Sequence, residues 1–206
     1  MVEQFRVHDL LWGFTPEQLP VDAPQWCLAA LRDAPPVVMR RAESRPGWVP
    51  IGLRGAARGE RFAGWLPVGA VSAVLSPEQL RLRDPADQSG LAVWRALTKV
   101  RPLLESCGLH WGVTGSAGFE LATGRSVTHA GSDLDLLLRT PQPIRREHAR
   151  RLLEPLTDIP CRIDVQLQTP HGGVALAEWA GRASKVMLKG VRGPALVANP
   201  WEGIES

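Results

Sequence analysis

Short apolar stretches separated by turn residues dominate the first 85 residues of the chain. Residues 37–41, 49–53 and 62–66 form such stretches, and the apolar positions of 49–53 alternate with the period of a β-strand. Two short helices are predicted here. One covers residues 24–32 with Pro24 in its first turn, and the other follows Ser76, where Ser76-Pro77-Glu78-Gln79 has the form of a capping box. This part is therefore predicted to be β-rich.

The pattern changes after residues 84–90, a stretch of Asp, Pro, Ser and Gly that is typical of a linker. Apolar residues then recur at helical spacing from Leu91 to Cys107, with Gly108 as a C-cap and a kink or break expected at Pro102. The next elements are predicted in this order: a strand at 109–113, a helix at 117–122, a strand at 133–138, a helix over 144–156, a strand at 161–168, a helix starting near Gly173, and strands at 186–189 and 195–197. The fold class is α+β, with a β-rich N-terminal domain at 1–85 and a mixed-sheet domain with flanking helices at 86–206.

Composition narrows the functional classes. No apolar run of the 206 residues is long enough to cross a bilayer, and the first turns are too polar for a secretory signal. The three cysteines fit neither a disulfide framework nor a zinc site, so we expect a cytoplasmic protein without a membrane partner. Only three of the 24 basic residues are lysine, which weakly favours an anionic substrate. No block of like charge indicates a nucleic-acid partner.

The segment Asp133-Leu134-Asp135-Leu136 carries the strongest chemical signal. Alternate side chains of a strand share a face, so Asp133 and Asp135 point the same way while Leu134 and Leu136 point into the core. Paired carboxylates beside an apolar layer repel each other and lose hydration, and a divalent cation would relieve both costs. The alternative is an exposed strand edge with two solvated acids, and for an isolated pair that alternative is preferred.

Two neighbouring features favour a site. Gly115-Ser116 follows an apolar strand and precedes a predicted helix, where a glycine allows close backbone approach and free N–H groups can bind phosphate. Asp164 lies on the polar face of a separate strand as a third acid. Neither a Walker sequence nor a dinucleotide fingerprint offers a competing phosphate site.

Gly115-Ser116 followed by Ser132-Asp133-Leu134-Asp135 resembles the signature of the polymerase-β-like nucleotidyltransferases. This resemblance implies that Gly115 and Ser116 hold a triphosphate. It also implies that Asp133, Asp135 and Asp164 bind Mg²⁺, or alternatively Mn²⁺, and carry the catalysis. The sixteen residues between Ser116 and Asp133 exceed the usual interval of that family, so the intervening loop is expected to depart from its pattern.

A second resemblance extends over nearly the whole chain. The chain is similar to the phosphoribosyl-dephospho-CoA transferases of malonate decarboxylase in these segments, in order: 6–12, the Gly-Ser and Ser-Asp-Leu-Asp motifs, 170–173 with 178–180, and 188–189 with 193–194. The implied reaction transfers 2′-(5″-phosphoribosyl)-3′-dephospho-CoA from its triphosphate precursor to a serine of the apo acyl carrier protein, releasing diphosphate. His8 and His171 lie in these segments, with functional and structural readings equally open.

Lys185, Lys189 and Arg192 are the nearest later cations and could neutralise phosphate charge, although ordinary surface charges explain them equally well. Two other functions remain open. One is a generic nucleotidyltransferase that moves AMP to a small molecule or a protein. The other is a non-catalytic binding module of the same fold, against which the intact trio of acids argues.

Overall fold

The computed structural model describes residues 5–57, 59–85 and 90–202. The chain divides into two compact units, Met1–Ser76 and Pro77–Ser206, which are described separately below. The sequence places a domain boundary at 85/86 instead, and the middle of its predicted linker, residues 86–89, lies outside the described residues. Sheets and helices occur together, so the predicted α+β class is confirmed.

The N-terminal unit is built on a five-stranded sheet with the order β4-β3-β2-β1-β5 and antiparallel pairing throughout. Its elements are β1 (Leu10–Trp12), α1 (Trp26–Ala30), β2 (Val37–Met39), β3 (Trp48–Arg54), β4 (Arg61–Pro67) and β5 (Ala73–Leu75), with short 3₁₀ turns at Pro16–Gln18 and Val68–Ala70. Val49, Ile51 and Leu53 of β3 enter the core, as the alternation predicts. The outward face of β3 begins with Trp48, which is 37% exposed.

The second unit contains a six-stranded sheet with the order β11-β10-β9-β8-β7-β6. Its elements are α2 (Pro77–Leu80), α3 (Ala92–Glu105), β6 (His110–Val113), α4 (Gly115–Thr123), β7 (Leu134–Arg139), α5 (Arg146–Leu153), a 3₁₀ turn at Glu154–Leu156, β8 (Ile163–Thr169), β9 (Gly172–Ala175), α6 (Leu176–Ala180), β10 (Val186–Gly190) and β11 (Gly193–Val197). Of the paired strands, β7 and β8 are parallel, with α5 in their crossover, and the other pairs are antiparallel.

Two predictions in this unit are wrong. Helix α3 runs through Pro102, so the predicted break does not occur: the proline removes only its own N–H, and the one bond lost is that to the carbonyl of residue 98. The helix predicted to start near Gly173 begins only at Leu176, and Gly173 belongs to strand β9. Gly172 lets β9 approach β10 closely: a Cβ at this position would collide with the Lys189 carbonyl oxygen.

The strand directions define two edges of this sheet. Strands β7 and β8 are parallel, so both begin at the same end of the sheet. We call this end the acid edge because Asp133, Asp135 and Asp164 lie there. Since β9 runs antiparallel to β8, and β10 antiparallel to β9, strand β10 also starts at the acid edge. The turns between β8 and β9 and between β10 and β11 lie at the opposite edge.

Candidate active site

Strand β7 fixes the first pair of acids. Leu134, Leu136 and Leu138 are at most 1% exposed, as the alternating pattern predicts, while Asp135 points to the other face and is half-buried. Asp133 is also half-buried and directly precedes the strand. The buried leucines hold β7 in place, so the backbone that carries the acids is rigid.

The third acid is brought in by the parallel pairing of β7 with β8. Asp135 is the register partner of Asp164, and paired residues of neighbouring strands point to the same face, with the strands about 4.8 Å apart. Sequence periodicity placed Asp164 on a polar face but could not identify β7 as its neighbour. Asp164 is exposed to solvent, so it is open to a ligand.

Gly115 packs directly against this pair. It opens helix α4 with a positive φ of 63°, and a Cβ at this position would overlap the Asp135 carboxylate. The Thr114 N–H donates to the Asp135 carbonyl oxygen at 2.9 Å, which ties the turn to β7. Only glycine fits here. The N-terminal turn of α4, with Ser116, therefore opens beside the acids, where its N–H groups favour an anion.

The long interval between Ser116 and Asp133 is explained by Glu120. This buried carboxylate, 5% exposed, accepts hydrogen bonds from the Val127 N–H, the Thr128 N–H and the Thr128 hydroxyl, each at 2.8 Å. The loop at 124–133 is thus anchored to helix α4 before it delivers Asp133. Sequence reasoning missed this role, because a glutamate within a helix is usually a solvated side chain.

The end of the same loop is held by local hydrogen bonds. The His129 N–H donates to the Ser132 hydroxyl at 3.0 Å, and the Gly131 N–H donates to His129 Nδ1 at 3.1 Å. The His129 side chain therefore serves the turn that precedes Asp133, in line with a structural reading of this residue.

Arg162 lies between two of the acids. Its Nε is 3.9 Å from Asp133 Oδ2 and 3.3 Å from Asp164 Oδ1, and its Nη2 is 3.2 Å from Asp164 Oδ2. All three side chains are exposed or half-exposed, so these ion pairs contribute little to stability. The contacts of Arg162 show that the carboxylates of Asp133 and Asp164 attract a positive charge to the space between them.

The three acids offer oxygen ligands to a metal ion. Within residues 5–57, 59–85 and 90–202, no three histidine, cysteine or carboxylate side chains are gathered closely enough to hold a metal ion by themselves. Asp135 and Asp164 are in register, Asp133 lies nearby, and the Arg162 guanidinium contacts Asp133 and Asp164. Such a set of carboxylates suits a hard cation that takes further oxygen ligands from a phosphate substrate. The three acids therefore fit Mg²⁺ or Mn²⁺ when a bound phosphate supplies the remaining oxygen ligands.

Cys161 borders the same site. Its thiol is 3.6 Å from the Ser132 carbonyl oxygen and 3.5 Å from that of Arg162. Burial raises the pKa of the Cys161 thiol above its ordinary value, and the Asp133 charge adds to this, against a lowering hydrogen bond from the backbone. The thiol therefore stays protonated at neutral pH and is a poor nucleophile.

The structure separates the three later cations. Lys185 directly precedes β10, whose first residue lies at the acid edge. Lys189 shares the face of the acids but lies about 13 Å further along the sheet. Arg192 lies in the β10–β11 turn at the opposite edge, as does His171 in the turn before β9. Lys185 is the one of these that the fold brings nearest to the acids.

Comparison with known proteins gives the family. The family model described as phosphoribosyl-dephospho-CoA transferase MdcG C-terminal domain matches residues 80–200, and the model for the MdcG N-terminal domain matches residues 6–77. The chain therefore belongs to the phosphoribosyl-dephospho-CoA transferase family. The predicted family membership is confirmed, and the chain is a member of a transferase family.

Relatives named phosphoribosyl-dephospho-CoA transferase match over nearly their full length. The protein from Pseudomonas putida W619 is 52% identical over 198 residues, which is 96% of each chain. That from Pseudomonas aeruginosa is 54% identical over 194 residues, 94% of this chain and 92% of its own. The Azotobacter vinelandii protein is 46% identical over 202 residues, 96% and 94% respectively. No solved structure matches the chain significantly.

Among the helices that the structure describes, none combines the length and the apolar character needed to cross a bilayer.

Proposed function

We propose that this chain transfers the phosphoribosyl-dephospho-CoA group from its triphosphate precursor to a serine of an apo acyl carrier protein, the small subunit of malonate decarboxylase, and releases diphosphate. The observation that carries the proposal is the pairing of Asp135 with Asp164, with Gly115 packed against Asp135, in a chain of the transferase family. Together they provide acids and an anion-binding turn at one edge of the sheet.

In this reaction the serine oxygen attacks the α-phosphorus of the triphosphate. A new oxygen–phosphorus bond forms, the bond to the bridging oxygen of the diphosphate breaks, and diphosphate leaves with the electron pair. Asp164 would accept the serine proton; its exposure, the greatest of the three acids, and its position beside Asp135 support this role. The N–H groups of the Gly115-Ser116 turn would bind the leaving diphosphate.

A divalent cation, Mg²⁺ or Mn²⁺, would be held by Asp133, Asp135 and Asp164 and would neutralise charge that develops on the phosphate oxygens. Arg162 must then give up its contacts with Asp133 and Asp164, which costs little because these ion pairs are solvated. The released guanidinium and Lys185, which precedes β10 at the acid edge, are candidates to neutralise the remaining phosphate charge.

Mass spectrometry of the carrier protein tests the proposal. Purified apo carrier is incubated with the enzyme, the triphosphate precursor and Mg²⁺, and the expected result is one added phosphoribosyl-dephospho-CoA group on a serine with one diphosphate released. A carrier variant with that serine changed to alanine is the control. AMP transfer from ATP, with no carrier labelling from the precursor, would favour the generic nucleotidyltransferase instead.

A further inference from the structure

The hairpin of β10 and β11 has one buried face and one open face. The residues of the buried face are at most 7% exposed and belong to the core: Val186, Leu188 and Val197. The residues between them point to the other side, where Leu196 is 61% exposed, Pro194 is exposed and Met187 is half-buried. The apolar side chains of the open face are therefore not used by the core of this unit.

These side chains form one patch. Met187 pairs with Leu196 and Lys189 pairs with Pro194, so all four share one face of the hairpin, with the Cβ atoms of each pair about 5 Å apart. The two-residue turn adds Val191, which is 53% exposed, and Arg192. We call this set the hairpin patch, and its members are Met187, Lys189, Val191, Arg192, Pro194 and Leu196. Contiguous exposed apolar side chains, unlike single ones, are typical of an interaction surface.

The hairpin patch faces the same way as the acids and belongs to the same unit. Lys189 pairs with Gly173 of β9, Gly173 pairs with Gln168 of β8, and Gln168 shares its strand face with Asp164. Strands β10 and β11 are two and three strands from β8, which is about 10 and 15 Å across the sheet. A standard protein interface covers about 800 Å² on each partner, an area roughly 30 Å across. A protein that binds the patch can therefore reach the acids.

Charge favours a protein partner with carboxylates. Lys189 and Arg192 are exposed, and neither forms an ion pair within the part of the chain that the structure describes. Near the start of β10, the Glu178 carboxylate accepts the Met187 N–H at 2.8 Å, so part of its charge is already used by the backbone. Exposed cations beside apolar side chains suit a partner that presents apolar groups and carboxylates. A small anion is less favoured, because it would leave Leu196 uncovered.

A second copy of the chain is also a less favoured occupant. Strand β11 is the edge of the sheet, but Pro194 lacks the N–H that a further strand would need. The cations of two hairpin patches placed together would repel each other. The open face, rather than the free edge, is therefore the surface that a partner would cover.

We propose that the hairpin patch is the docking surface for the apo carrier protein, which covers Leu196 and brings its serine to the acids on the same face. This inference rests on the proposed function for the identity of the partner. It gives Lys189 and Arg192 a role in recognising the carrier in place of the phosphate contact that the sequence suggests for them.

Calorimetric titration of the full chain with a carrier whose acceptor serine is changed to alanine, which binds without reacting, tests the inference. Leu196→Asp and Arg192→Glu are each expected to weaken carrier binding by about tenfold or more, because apolar burial and charge attraction are lost. Affinity for the triphosphate precursor should stay at the wild-type value.

Two substitutions outside the patch are the matched controls. Leu82→Asp changes a leucine that is 71% exposed and follows α2, which packs against the far edge strand β6. Arg151→Glu reverses an exposed charge on α5. Both should bind the carrier like the wild type, and thermal unfolding verifies that each variant is folded.

Three results overturn the inference. The first is wild-type carrier affinity in Leu196→Asp and Arg192→Glu, or equal weakening in the two controls. The second is weaker precursor binding in Arg192→Glu with unchanged carrier binding, which favours a phosphate contact. The third is a dimeric wild type that Leu196→Asp makes monomeric without changing carrier affinity, which favours contact between copies.

Failure here is distinguishable from failure of the proposed function. Carrier labelling by the wild type, together with unaffected carrier binding in the patch variants, rejects only the docking surface. Patch-dependent binding of the carrier without any labelling from the precursor rejects the transfer reaction and retains the surface.

Discussion

Glu120→Gln is the substitution from which the structure gives the most definite expectation. The carboxylate is 5% exposed and accepts three hydrogen bonds at 2.8 Å from the loop that ends at Asp133. Glutamine has nearly the same shape, so the change removes charge without creating a cavity. Any effect therefore reports on the strength of these three bonds.

The magnitude follows from the bond types. A hydrogen bond to a charged acceptor contributes about 1 kcal/mol more than a neutral one, which gives a gross loss of about 3 kcal/mol for three bonds. Part of this is offset because a neutral amide costs less to bury than a carboxylate. We expect the free energy of unfolding of the second unit to fall by about 2 kcal/mol, a Tm decrease of roughly 4–8 °C.

The assay combines thermal unfolding with steady-state kinetics at a temperature where the variant is folded. Because the loop positions Asp133, kcat should fall by about tenfold or more, while KM for the precursor changes less. Glu147→Gln is the control: its carboxylate is 66% exposed and lies 3.6 Å from Arg150, so stability should change by less than about 0.5 kcal/mol. Unchanged stability and kcat in Glu120→Gln would refute the anchoring role.

Four further predictions concern the acids and the turn beside them. Asp133→Ala and Asp135→Ala should each abolish transfer but leave the fold intact by circular dichroism; near wild-type turnover at saturating Mg²⁺ would reject the metal assignment. Asp164→Asn should depress kcat strongly and precursor binding less, and a collapse of affinity in a binding titration would argue for a structural role. Gly115→Ala should lose activity and stability well beyond Gly124→Ala, since both glycines have positive φ but only the first abuts Asp135. Finally, carrier proteins of this kind are usually acidic and this chain has a pI near 9.1, so the second-order rate of labelling should fall with rising salt; efficient labelling of free serine would contradict carrier recognition.

The strands that carry the acids could be predicted because they follow simple periodicity. Leu134 and Leu136 alternate with Asp133 and Asp135, and the structure buries both leucines. The neighbour relation between β7 and β8 could not be predicted. Parallel pairing joins Asp135 to Asp164 across 29 positions of sequence, and it depends on the crossover through α5, which no local pattern encodes.

Glycine caused one of the errors in the assignment of elements. Gly172 and Gly173 suggest a turn or a helix start, because glycine is rare inside strands. Here the missing side chain lets β9 lie close to Lys189 of β10, a tertiary reason that overrides local propensity. The exposed tryptophans are a similar case, since sequence alone could not separate Trp48 and Trp65 from the buried Trp111.

The segments that resemble the family divide into two kinds by their place in the sheet. Gly115 and Asp135 lie together at the acid edge, where Gly115 packs against the Asp135 carboxylate and Asp135 pairs with Asp164. The Pro170–Gly173 segment lies at the opposite edge, where Gly172 is constrained by the approach of β10. Similarity in the second segment therefore reflects the packing of the sheet, and a substitution at Gly172 should lower stability in proportion to any loss of turnover. Only substitutions at the acid edge should lower turnover without lowering the free energy of unfolding.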